Sequence, residues 1–135
     1  MTSERGSSPI ELVLGLMMIV VPAAIVVLLV APIFEARNFA RRAAAEAARA
    51  GVIAVDDPLG SATNSVAASA AGLGISPESV LIEFCDALPC SWERGANFVV
   101  KVSVQVDEVS DLLPIGTMTI SATHSEQIDL YRSRP

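Results

Sequence analysis

Few residues in this chain have a type and spacing that could do chemistry. Two cysteines, Cys85 and Cys90, lie close together. Close thiols form a disulfide in an oxidising compartment or half of a metal site in a reducing one. A structural zinc usually takes four protein ligands, yet the chain has one histidine, His124, and no second cysteine pair. The disulfide is therefore preferred over a metal site or free thiols. It would stiffen a sheet edge, contribute about 2 kcal/mol by loop-closure entropy, and hold Trp92 near the surface.

His124 is also the sole candidate imidazole base. Ser121, Ser125 and Glu126 are near it in sequence. In a strand, however, alternation puts Ser121 and Ser125 on the face opposite His124. Its register with Met118, Ile120 and Ala122 makes it a strand-end residue partly covered by packing. No nucleophile elbow, phosphate loop or metal-ligand spacing occurs, so the chain is not expected to be an enzyme, and no cofactor or metal is assigned. Asp107, Glu108 and Asp111 lack the regular ligand spacing of a calcium loop and read as a solvated acidic turn.

One further carboxylate, Glu11, stands at the edge of a long apolar run. The chain has 135 residues, a net charge of −6 and 52% hydrophobic residues. An acidic chain without a basic stripe is a poor nucleic-acid binder. The apolar excess sits in residues 12–34, which contain no charged side chain. As a helix these residues span about 34 Å, enough to cross a bilayer core of about 30 Å. A cleavable secretory signal has a shorter apolar stretch followed by a small-residue cleavage site. This block is longer and runs directly into a charged helix, so a permanent anchor is favoured.

The elements that position these residues follow from periodicity. Pro22 and Pro32 interrupt the hydrogen-bond ladder of the apolar helix, and a membrane helix tolerates that. Residues 35–50, EARNFARRAAAEAARA, are rich in strong helix formers. One continuous helix of roughly 60 Å is predicted from Pro9 to Ala50, with Gly51 as its C-cap and Arg42 paired to Glu46 four residues on. Small residues (Gly15, Ala23, Ala24, Ala31) permit close packing against another helix. Asp57 and Pro58 form an N-cap and first-position signal for a second helix ending at Gly72-Leu73-Gly74. Residues 80–84 form a short apolar strand. Phe98, Val100, Val102, Val104 and Val106 alternate with polar residues, as do Met118, Ile120 and Ala122. Residues 127–131 would prolong the last strand or add to the sheet. The fold class is α+β, with a long N-terminal transmembrane helix, a short helix and a small antiparallel sheet of three or four strands.

At the N-terminal boundary, Gly6 is followed by Ser7-Ser8-Pro9-Ile10-Glu11. A cut after Gly6 would make Glu11 the fifth residue of the mature chain. A carboxylate at a membrane edge is costly without a partner. A neighbouring subunit's N-terminal ammonium could provide one and fix the axial register of packed helices. The plainer reading of Glu11 is a charge marking the end of the membrane helix.

The stretch RGSSPIELVLGL, followed by the Arg/Ala-rich residues 35–50, resembles the N-terminal pattern of TadE-like proteins, pseudopilins of the tight-adherence pilus system. The DDP turn, the Ala-rich helix ending in GLG, the C-x4-C loop, the paired Val-rich strands and the IDLYRSR ending are similar to actinobacterial members. Pro9, Ile10 and Leu12 depart from the residues commoner at those places. The resemblance implies a leader of residues 1–6 removed by a prepilin peptidase between Gly6 and Ser7, and a role for Glu11 in assembly. It further implies a transmembrane helix and extension over 7–50, and a small extracytoplasmic domain over 51–135. The expected function is that of a minor pseudopilin whose partners are the membrane and other pilin subunits. The alternative is a single-pass anchored binding module that does not polymerise.

Charge distribution opposes that orientation. Lys and Arg flanking a span favour the cytoplasmic side, and Arg37, Arg41, Arg42 and Arg49 all follow the apolar run. Counted alone, they put the C-terminal part inside. They are interleaved with Glu35 and Glu46, however, and the cysteines and Ser/Thr-rich strands suit an exported domain.

Overall fold

The apolar run passes directly into the alanine- and arginine-rich segment, and in the computed structural model the two form one helix, α1 (Pro9–Ile53). The structure describes residues 9–85, 90–106 and 116–130. At 1.5 Å per residue the 45 residues of α1 make a rod about 68 Å long. The helix continues through Pro22 and Pro32, each of which withdraws a single backbone donor.

Only the second half of α1 is packed. Ala36, Phe39, Ala40, Ala43, Ala44, Ala47, Ala48 and Gly51 are buried, a stripe spaced by three and four residues that falls on one side of the helix. Alanine keeps this face flat, so neighbouring backbones can approach closely. Expected as an extension of the anchor helix standing above the membrane, this segment is the central element of the folded core.

Gly51 departs from its expected role. The helix runs on past it, and Ala54 N–H still donates to Ala50 C=O at 3.0 Å. A Cβ at position 51 would overlap the ring of Phe98. Gly51 is thus a packing glycine inside the last turns, not a C-cap. Its neighbour lies far away in sequence, which local helix signals cannot register.

The second helix, α2 (Pro58–Gly72), starts as expected: Asp57 caps it, accepting from Gly60 N–H at 2.9 Å, with Pro58 in the first turn. It ends in a Schellman motif. Gly74 N–H donates to Ala71 C=O at 3.2 Å and Ile75 N–H to Ala70 C=O at 3.0 Å, with Gly74 left-handed at φ 68°. Ala62, Val66 and Ala70, four residues apart, form its buried stripe. Glu46 does not pair with Arg42. It accepts instead from Ser69 Oγ on α2 at 2.8 Å, because α2 brings a donor within reach and an exposed i,i+4 ion pair is worth only a few tenths of a kcal/mol.

A 3-10 turn (Pro77–Ser79) leads into the sheet of β1 (Val80–Phe84), β2 (Asn97–Val106) and β3 (Met118–Gln127), antiparallel in the order β1-β2-β3. Phe98, Val100, Val102 and Val104 are buried on the face that meets α1. The opposite face carries Glu83, Lys101, Ser103 and the exposed Thr119, Ser121, Thr123 and Ser125. Lys101 and Glu83 are cross-strand partners at 2.6 Å, both about half exposed, and such a pair contributes little.

The ladder stops at Gln127, opposite Asn97. Residues 128–130 neither extend it nor add a strand, and Tyr131, the last residue of the expected extension, lies outside the described residues. Ile128 N–H donates to Ala96 C=O at 2.8 Å and its carbonyl accepts from Gly95 N–H at 3.0 Å. The chain before β2 turns at Gly95, φ 79°, and leaves the line of the ladder there. Ile128, 2% exposed, plugs that end of the sheet. Among the described residues the sheet has three strands.

Candidate functional site

The cysteines are joined. Cys85 follows the edge strand β1, and Cys90 is its disulfide partner with Cα atoms 5.6 Å apart. Cys85 has a left-handed backbone (φ 57°), uncommon for a residue with a side chain, while its N–H still donates to Val99 C=O at 2.8 Å. With both sulfurs in one bond, neither is a metal ligand or a nucleophile. Beside the bridge the rings of Phe84 and Trp92 lie 6.0 and 4.9 Å from that of Phe98. Trp92 is half-buried on the sheet end, so packing accounts for it.

His124 sits opposite Val100 on the helix-facing side of β3, half-buried, with Nε2 3.2 Å from Glu126 Oε2. Ser121 and Ser125 are exposed on the other face. The sheet therefore separates hydroxyl and imidazole, and no serine–histidine relay forms among them. The His124–Glu126 pair was legible in principle, since residues two apart share one face of a strand. The acidic residues Asp107, Glu108 and Asp111, and the processing residues Gly6 and Ser7, lie outside the described residues.

Among the described residues, the first half of α1 carries most of the exposed large apolar side chains. Ile10, Leu12, Leu14, Met18, Ile19 and Leu28 are each more than half exposed, and no residue from Pro9 to Ile33 is buried. Apolar side chains surround the whole circumference. At about 1.5–3 kcal/mol for each large side chain, covering these six alone is worth on the order of 10–20 kcal/mol, against about 5–15 kcal/mol for the whole stability of a typical domain. Such a helix is long and apolar enough to cross a membrane.

Glu11 lies in the first turn of α1, roughly 37 Å along the axis from the first buried alanine, Ala36. The structure brings it near neither the cysteines nor His124. Gly15 has open space around its Cα, so another helix could approach there closely. No family model, curated protein or solved structure matches the chain.

Where α1 leaves the apolar run, a cleft of about 380 Å³ is lined by Glu35, Asn38, Phe39, Arg42, Leu73 and Ile75. It joins the start of the packed half of α1 to the C-terminal turn of α2. Sequence reasoning missed this place, because nothing local says that Leu73 returns to the level of Arg42. The antiparallel course of α2 along α1 does that.

Proposed function

We propose that this chain is a minor pseudopilin, a membrane-anchored structural subunit that contributes to assembly of a tight-adherence type pilus, and that it is not an enzyme. The observation carrying the reading is a single unbroken helix, bare and apolar around its first half and forming the domain core with its second. A subunit built so can associate through the bare half while the domain stands at a fixed distance on the same rod. Glu11, in the first turn, would meet a neighbour's N-terminal ammonium once the leader is removed after Gly6. The Cys85–Cys90 disulfide is compatible with an extracytoplasmic domain. The TadE-like pattern of RGSSPIELVLGL supports the same reading.

A second reading, an anchored module that binds a partner without polymerising, draws on the uncovered polar face of the sheet, where Thr119, Ser121, Thr123 and Ser125 form one row. The two differ at the N-terminus. In cells carrying the native peptidase, the pseudopilin is expected to start at Ser7, to weigh two hydrogens less before reduction than after, and to lose incorporation into fibres when Glu11→Ala is introduced. A membrane-extracted chain that retains Met1 or Thr2 and has free thiols would overturn the processing claim and leave the plain anchor.

A further inference from the structure

We propose that the C-terminal turn of α2, with Leu73 at its tip, docks onto anionic phospholipid head groups beside the point where α1 emerges, so that the domain sits on the membrane surface at two places. This rests on the reading of α1 as a membrane span.

Three observations meet there. First, α2 runs back along α1, and its end lines a cleft with Glu35, Asn38, Phe39 and Arg42, residues that start one position after the apolar run stops. Second, Leu73 is 67% exposed and Phe34 58% exposed. A single exposed leucine is ordinary. Here it lies in a turn between Gly72 and Gly74 and lines the cleft with Glu35, Asn38, Phe39 and Arg42, the residues that follow Phe34 on α1. Third, Arg37, Arg41 and Arg42 are all exposed within about 12 Å of Phe34 along the axis. In a chain of net charge −6, this is a local excess of positive charge at one level, with Glu35 the nearby carboxylate.

Apolar tips and aromatic rings settle at the headgroup boundary, while arginines reach phosphate oxygens with long stems lying along apolar surface. Each basic residue near an anionic surface changes occupancy about fivefold. The occupant is therefore a lipid surface continuous with the one α1 crosses. A free anion would not use Leu73, and a protein groove would not need to lie level with the end of the span.

Tryptophan placed in a Trp92→Phe background reports depth through quenching by lipids brominated in the acyl chain. The full chain is reconstituted in vesicles of phosphatidylcholine with or without phosphatidylglycerol, carrying Ile19→Trp, Leu73→Trp or Val55→Trp. If Trp92→Phe does not fold, the same substitutions are made in the native chain and its emission subtracted. Docking predicts strong quenching at position 19 in both lipids. At position 73 it predicts quenching well above that at 55 when phosphatidylglycerol is present, with the excess lost in pure phosphatidylcholine and in an R37Q/R41Q/R42Q variant. Quenching at 19 with 73 no different from 55 overturns the docking and leaves the span standing. An excess at 73 that persists without anionic lipid or without the arginines overturns the headgroup recognition. Absence of quenching at 19 overturns span and docking together.

Discussion

The two halves of α1 share one backbone geometry and differ in what surrounds them. From Pro9 to Leu28 most side chains are large and apolar, and they are exposed on every side. From Ala36 to Gly51 the apolar residues are mostly alanine, confined to one stripe and buried, while Arg37, Arg41, Arg42 and Arg49 face outward. Helix propensity favours both halves, so it does not explain their fates. Side-chain volume and angular distribution do. A flat small-residue stripe suits another protein surface at close range. A bulky apolar cylinder with no polar side suits a surrounding medium that is apolar in all directions.

Substitutions on each side of this divide are expected to act separately. The largest effect falls on the packed side. Phe98 is fully buried between Gly51, Phe84 and Trp92, and Phe98→Ala should lower domain stability by about 3–5 kcal/mol, measured by denaturant unfolding in detergent, without changing membrane retention. Slightly smaller, and opposite in target, is Val20→Arg. It should cost about 2.5–3.5 kcal/mol in membrane insertion, seen as carbonate-extractable chain, while the unfolding midpoint of the domain stays put. The smallest contrast uses one substitution twice. Ala44→Leu overfills the stripe and should destabilise the domain by about 1–3 kcal/mol, whereas Ala24→Leu, at an exposed position, should leave domain stability unchanged. Equal effects of the two leucines would break the division.

Much of the fold was legible because its signals are local. Asp57 and Pro58 marked the start of α2, strict alternation marked β2 and β3, and the short apolar run at 80–84 matched β1 to the residue. What stayed hidden depends on partners far off in sequence. Gly51 reads as a stop signal until Phe98 is seen against it. Glu46 has a favourable partner in Arg42 by spacing, yet Ser69 captures it from another helix. Ile128 continues an extended stretch by pattern but has no ladder left to join. In the candidate site, Glu11 and the cysteine pair were visible from residue type and spacing. The cleft at Arg42 and Leu73 was not, because it exists only when α2 folds back.

The stripe on α1 also sets an order of events in time. The alanines that form the core are made early, but the strands that cover them, β2 and β3, occupy the last part of the chain. Until β2 has emerged the stripe has no lid beyond α2, and until β3 follows that lid is incomplete; most native contacts of the sheet with α1 close loops of several tens of residues. High sequence separation of this kind slows folding and postpones cooperativity. The domain therefore completes itself only after nearly all of its chain is free of the ribosome or of any translocating machine. A polypeptide that must cross a membrane before folding is helped by that delay, since the segment in transit has not yet formed anything that must be undone.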